Sequence, residues 1–310
     1  MRFPIAMVMV LMAAPTGAAT CSCAGAPLLG VMDAGGVEQG QWYVGSTFVS
    51  HDISDLVSGT DEVPDQTGRD RSSISTVVEG SYGLTERWTV SGVLSRIRHE
   101  RRIGNNTPTE TKGFGDSLIM FKYAVVPTRV SDPYSVSAGL GFRIPSQDDD
   151  LIGNLVTAAE DLQPSTGASG TLIWTRANYT FDAFPATTWH ASATLAFNGE
   201  NDRDYRFGDE ILINVGVQAP APEHILGIKL PTFQYAYALK YRHGDRHQRR
   251  DVEIPNTGGQ WLDLAQSIEF AITPRWGARL NVAMPIWRNL NDALQFTTSS
   301  EVALTLSYAP

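Results

Sequence analysis

Tyr134 to Ile144 (YSVSAGLGFRI) sorts its residues by parity. Tyr134, Val136, Ala138, Leu140, Phe142 and Ile144 fall on one side, and Ser135, Ser137, Gly139, Gly141 and Arg143 on the other. Side chains of a β-strand point alternately to its two faces, so a strict period of two predicts a strand with one apolar and one polar face. The pattern recurs along the chain. Trp189, Ala191, Ala193, Leu195 and Phe197 alternate with His190, Ser192, Thr194, Ala196 and Asn198, and Phe233, Tyr235, Tyr237, Leu239 and Tyr241 with Gln234, Ala236, Ala238, Lys240 and Arg242. The apolar faces are nearly free of charge, whereas a soluble β-sandwich needs polar outward faces. Apolar outside and polar inside is the pattern of a transmembrane barrel.

About twelve such segments are predicted, near 41–50, 72–82, 86–98, 115–126, 133–144, 168–181, 187–198, 208–218, 232–242, 260–272, 275–287 and 297–308. Most have the roughly ten residues that cross a bilayer at a tilt. Short connections (83–85, 127–132, 182–186, 273–274) alternate with long polar ones (51–71, 99–114, 145–167, 243–259). That is the asymmetry of periplasmic turns against outer loops, and an even strand count leaves both termini periplasmic. The fold expected is all-β, a single transmembrane antiparallel barrel. The strand ending at Tyr308 has the alternation and terminal aromatic of a segment read by barrel-assembly machinery. A mean hydropathy of −0.15 does not oppose this, because only every second strand residue meets lipid. The net charge of −9 argues against nucleic acid as a partner.

The start of the chain reads as an export signal: Arg2, an apolar block from Ile5 to Ala14, then Gly17-Ala18-Ala19 for cleavage. The expected division is a signal peptide over 1–19, an N-terminal periplasmic segment over 20–39 and an outer-membrane barrel over 40–310. The two cysteines, Cys21 and Cys23, receive no role: a disulfide between them is strained and two ligands are too few for a metal.

Motifs at successive strand borders resemble a family. Tyr82-Gly83-Leu84-Thr85-Glu86-Arg87-Trp88, Gly113-Phe114-Gly115-Asp116, Ser165-Thr166-Gly167 and Phe207-Gly208-Asp209-Glu210 stand in order, followed by Thr273-Pro274-Arg275-Trp276 through Tyr308. Together they resemble the transporter-like outer-membrane barrels named for the MetA pathway of phenol degradation. The resemblance implies passive uptake of small, often hydrophobic or aromatic, solutes, and supplies no catalytic or ligand residues.

Alternation assigns the lumen-lining candidates. The acids are Glu79, Glu210, Asp263, Glu269 and Glu301; the bases are Lys122, Arg143, Arg176, Lys240, Arg242 and Arg279; His190, Ser192 and Asn214 add neutral polar groups. Five acids against six bases predict a nearly neutral lumen, either a braced network of paired charges or a track for a polar solute. His190-x-Ser192 is similar in one respect to the active site of outer-membrane phospholipase A, with Asn198 or Asn201 as a third member. Parity turns both residues inward, away from lipid, and no Gly-x-Ser-x-Gly elbow exists, so no enzyme is expected and no catalytic residue assigned. A non-conducting scaffold barrel is the alternative to a channel.

Two loops complete the reading. Asp148-Asp149-Asp150 and Glu160-Asp161 make loop 145–167 acidic, but no Asp-x-Asp-x-Asp-Gly register marks a Ca²⁺ site, so a solvated loop is expected. His243 and His247 have metal-like spacing without a helix to use it. Arg246, Arg249 and Arg250 beside them are expected to meet phosphates of outer-leaflet lipid. No metal or cofactor is expected; the partners are outer-membrane lipid and a small solute.

Overall fold

The computed structural model describes residues 36–128, 132–148, 151–153, 156–181, 187–221, 224–225, 228–229 and 233–310. The predicted signal peptide, Cys21, Cys23, Asp149, Asp150 and the turn 182–186 lie outside the described residues.

Twelve antiparallel strands close on themselves. They are β1 (Trp42–Asp52), β2 (Arg69–Gly83), β3 (Trp88–Ile103), β4 (Thr109–Phe114, continued by Ser117–Val126), β5 (Tyr134–Ile144), β6 (Gly170–Thr180), β7 (Thr188–Asn198), β8 (Glu210–Pro220), β9 (Phe233–Gly244), β10 (Gly259–Ala271), β11 (Trp276–Leu290) and β12 (Ser300–Tyr308). Each pairs with its neighbours in sequence, and β12 pairs with β1 from Val44↔Tyr308 to Asp52↔Ser300. Closure removes the sheet edge, so every strand can satisfy its backbone groups within the wall, as hydrocarbon demands. Among the described residues no helix is long and apolar enough to cross a membrane.

The outward positions form the apolar belt that parity predicts: Phe48, Leu140, Phe142, Ile213, Val215, Leu239, Leu280 and Leu304 are all exposed. An exterior this apolar is stable only against lipid tails. Aromatic rings collect at the short-turn end, where Trp42 and Trp276 both stack on Tyr308 (centroids 5.1 and 4.9 Å) and Trp88 on Tyr123 (4.9 Å). Their amphipathic rings suit the headgroup zone.

Four strands, β2, β3, β4 and β11, outrun their predicted limits by three residues or more at the long-loop end. β2 and β3 continue at the long-loop end because their ladder persists after the outward residues turn charged at Arg96 and Arg98, where an apolar pattern has nothing left to follow. Pro285 in β11 has no N–H to give, and the register shifts opposite Leu262/Asp263. After this bulge Ile286 and Trp287 both face out, and Arg288 turns inward to Asp55.

The long loops fold over their end of the barrel. Asp55–Ser58 pairs with Asp61–Glu62 and with Gln295–Thr297; Gln248–Arg249 pairs with Tyr205–Arg206 and with Val252–Glu253. Ile53, Leu56 and Phe296 form the core of the first small sheet. At the other mouth, residues 36–41 run inside the rim: the Val37 N–H donates to the inward Thr89 hydroxyl (3.0 Å), and Gln39 bridges Gly83. Gly83 allows this approach, because a Cβ there would overlap the Glu38 carbonyl.

Candidate functional site: a half-filled lumen under a loop cap

The lumen is divided. On the β2–β8 side Val77, Val93, Leu118, Met120, Leu172, Trp174 and Ala196 pack into one apolar cluster, with Leu212 against it. Trp174 is 1 % exposed although it lies inside a barrel. The inward glycines of β5 make room: a Cβ on Gly139 would stand 3.4 Å from the Trp174 ring and one on Gly141 3.3 Å from Leu118. This half of the lumen is solid wall.

On the other side lies a cavity of ≈ 790 Å³ reaching the mouth where the termini meet. Of the predicted lumen residues, Glu79, Arg176, His190, Asn214, Lys240, Glu269, Arg279 and Glu301 line it, joined by His51, Tyr43, Ala236 and Ala265. Its charges are paired. Glu301 takes Lys240 (3.6 Å), His51 (3.2 Å) and the Asn281 amide (3.3 Å); Arg279 donates to Glu269 at 3.0 Å through Nε. Arg176 Nε donates to Asn178 (2.9 Å).

The remaining predicted lumen residues sit elsewhere on the inward face. Lys122 is buried in the filled half, 3.8 Å from Glu79 and 5.4 Å from the Trp174 ring centroid. Arg143 reaches Asp116 (3.8 Å) and Asn198. Arg242 lies 4.0 Å over Trp261, and Glu210 and Asp263 stand on either side of β9 at Gly244 and Lys240. Ser192 faces Asn214 across β7–β8.

Among the described residues, neither asparagine proposed as a third member stands beside His190 and Ser192. The His190 ring occupies the space left by Gly216, its cross-strand partner, where a Cβ would come within 2.6 Å of the imidazole. Asn198 lies eight residues up the strand, roughly 26 Å away at about 3.3 Å per residue, and is held by Arg143 and the Gly208 carbonyl. Asn201 caps its own loop, accepting from the Arg203 and Tyr205 N–H groups (3.0 and 3.1 Å), and donates to the Thr166 carbonyl of another (3.1 Å). Among the described residues no three His, Cys, Asp or Glu side chains gather as a metal site.

The loop cap overturns two expectations. Glu160 is not part of a solvated acidic loop: it is buried, accepting from Arg203 Nε (2.9 Å) and Arg249 Nη2 (3.1 Å), while Asp161 takes Arg71 of β2 (2.8 Å). Nor are the arginines of loop 243–259 turned to lipid phosphate: Arg246 pairs with Asp292 (2.8 Å), Arg249 with Glu160 and Arg250 with Asp204 (3.0 Å). Three loops far apart in sequence neutralise one another, and desolvation of Glu160 is offset by two guanidinium groups.

Two of the border motifs prove to be one anchor. Asp116, fully buried at the break in β4, accepts from Ser165 Oγ (2.5 Å), Thr166 Oγ1 (2.6 Å) and Thr166 N–H (3.1 Å). Gly115 beside it has no space for a side chain against Ser95 and Ile97. The Gly-Phe-Gly-Asp and Ser-Thr-Gly stretches therefore tie the end of the 145–167 loop to the barrel wall.

His247, one of the spaced histidines, is buried in the cap against Tyr205 and Phe207, with Nδ1 2.6 Å from the Tyr205 hydroxyl. Burial, chiefly, and Arg242 hold its pKa down at about 4 against the attraction of Asp161. Burial and then Asp161 and Glu160 push Tyr205 up, so the phenol keeps its proton and stays a neutral hydrogen-bond partner of the imidazole. The fold favours the neutral ring. The stability this contributes is complete above about pH 6.5 and is lost as pH falls through about 4. At about 1.4 kcal/mol per pKa unit it amounts to about 3 kcal/mol. If the barrel conducts, acidification across this window is expected to loosen the cap and raise bilayer conductance, whereas a His247→Leu variant should show a flat profile there. An equal rise in the variant would assign the acid response to other groups.

No family model matches the chain, and no curated protein sequence does. Among solved structures, the COG4313 outer membrane channel from Pseudomonas putida F1 is similar with a TM-score of 0.68 at 10% identity, over 90% of this chain and 98% of that one. The β domain of the Bordetella autotransporter BrkA is similar with a TM-score of 0.52 at 11% identity, over 88% and 100%. The fold is that of outer-membrane β-barrels. One fold serves a channel in the first and an autotransporter in the second, so function has to be argued from the lumen.

Proposed function

We propose that the protein is a passive outer-membrane channel, with its termini in the periplasm and its looped end outside, passing small solutes of low net charge. The cavity beside the filled wall carries this reading. Its volume suits a compact organic molecule, and its lining offers hydrogen-bonding groups between alanine and tyrosine surfaces. Charges of both signs, paired side by side, favour neither anions nor cations. The border motifs that resemble the phenol-pathway barrels support the same use, and small aromatic compounds bearing a polar group match the lining. The export signal read over residues 1–19 agrees with the location.

Single-channel recording in planar bilayers tests the proposal. Small, weakly ion-selective conductances are expected, together with uptake of small solutes into liposomes. Lys240→Glu should shift the reversal potential toward cation selectivity, because it sets a second carboxylate against Glu301. A heat-modifiable barrel with neither conductance nor uptake would make the protein a scaffold instead.

A further inference from the structure

Among the described strand residues, lysine and arginine reach the outward face of the barrel on one side only. Among the described residues, the outward positions of β1, β2 and β5 to β12 carry no lysine or arginine; each basic residue of those strands points into the lumen or the cap. β3 and β4 break this rule. They place Arg96, Arg98 and Lys112 together, all exposed, with Arg98 and Lys112 directly opposite in the ladder. Like charges paired across strands repel, and an anion bound between them reverses the cost.

The vertical order around this group is informative. Immediately below it Leu94 and Phe114 are the most exposed of the nearby apolar side chains, at 60 % and 61 %. The Arg96 guanidinium lies 5.9 Å from the Phe114 ring. One residue pair above the group come Glu100 and Glu110, which hold Arg98 at 3.6 and 2.9 Å, and Glu100 also takes Arg102, the next outward residue of β3, at 3.8 Å. Among the described residues no ion pair involves Arg96 or Lys112. Apolar belt, cationic row and then acids is the sequence of environments met by an amphiphile with its chain along the wall and its anionic headgroup at the belt's upper edge.

We propose that Arg96, Arg98 and Lys112 bind the phosphate of a lipid headgroup in the leaflet at the long-loop end. Guanidinium groups present paired donors to phosphate oxygens, and Lys112 adds a compact charge. The acids above exclude a second anion from the loop side and set the height of the headgroup. The site rests on the barrel lying in a bilayer and is independent of whether it conducts.

Native mass spectrometry of the full chain in neutral detergent, titrated with phosphatidic acid or with phosphatidylcholine, tests it. The wild type is expected to retain phosphatidic acid preferentially. The charge-neutral variant R96Q/R98Q/K112Q should bind it roughly a hundredfold more weakly, from about a fivefold loss for each of the three cations, with unchanged phosphatidylcholine retention and heat-modifiable mobility. Equal retention of phosphatidic acid by the variant would overturn the proposal. So would competition by inorganic phosphate at concentrations equal to the lipid, which would make the site a receptor for the free anion. Loss of heat-modifiable mobility in the wild type would instead count against the membrane barrel itself.

Discussion

Replacing Glu160 with alanine is expected to raise the open fraction of the proposed channel about thirtyfold. The carboxylate joins its own loop to the loops that hold Arg203 and Arg249. Its removal leaves two guanidinium groups facing each other over a partly solvated gap. Breaking a fully buried pair costs 3–5 kcal/mol. Here the arginine side chains are 25 % and 54 % exposed, so water screens them and the cost falls to about 2 kcal/mol. That figure corresponds to the thirtyfold change in the closed-to-open ratio. Glu160→Gln should give a smaller rise, since its amide oxygen still accepts from one arginine. The barrel lies below this contact, so heat-modifiable mobility should persist in both variants. Unchanged conductance in an intact E160A barrel would show that the Asp116 anchor and the Arg71–Asp161 pair hold the cap without Glu160.

The barrel was legible in the sequence because lipid imposes a rule on half of each strand. Any outward residue must be apolar over the belt, so Tyr134 to Ile144 or Phe233 to Tyr241 announce both strand and facing. The inward half obeys no such rule. Leu172 and Trp174 share parity with Arg176, and parity alone cannot say that the first two fill the lumen while the third lines a cavity. A signal for the filling was present: Gly139 and Gly141 are adjacent inward glycines, and Gly216 faces His190. Missing side chains on an inward face mark a large neighbour across the wall. The cap had no comparable signal. Glu160 meets Arg203 and Arg249 over separations of 43 and 89 residues, and the motif halves at Asp116 and Ser165 over 49. Such pairings follow from how loops of unlike length fold over one rim, which no local period encodes.

The same uncertainty about the inward face makes Lys122 and Glu79 the most informative pair in the wall. Lys122 is 2 % exposed and Glu79 3 %, and the two lie at the boundary between the filled half and the cavity. Ser81 donates to Glu79 at 3.4 Å and exchanges a bond with Ser91 at 2.7 Å, a thin hydrogen-bond supply for a buried carboxylate. Lys122→Met keeps the aliphatic stem against Trp174 but leaves Glu79 without its cation. The expected loss is about 3–5 kcal/mol in urea unfolding. Adding Glu79→Gln removes the stranded charge, and the double variant should recover to within about 1 kcal/mol of the wild type, because neutral groups of similar shape replace a buried pair nearly without cost. A double variant no more stable than the single one would mean that the ammonium holds the wall through the Trp174 ring, not through Glu79. Recovered stability with altered solute passage would put the pair on the solute's path, since Glu79 is the member that lines the cavity. Recovered stability with unchanged passage would make it a brace for the filled half of the lumen.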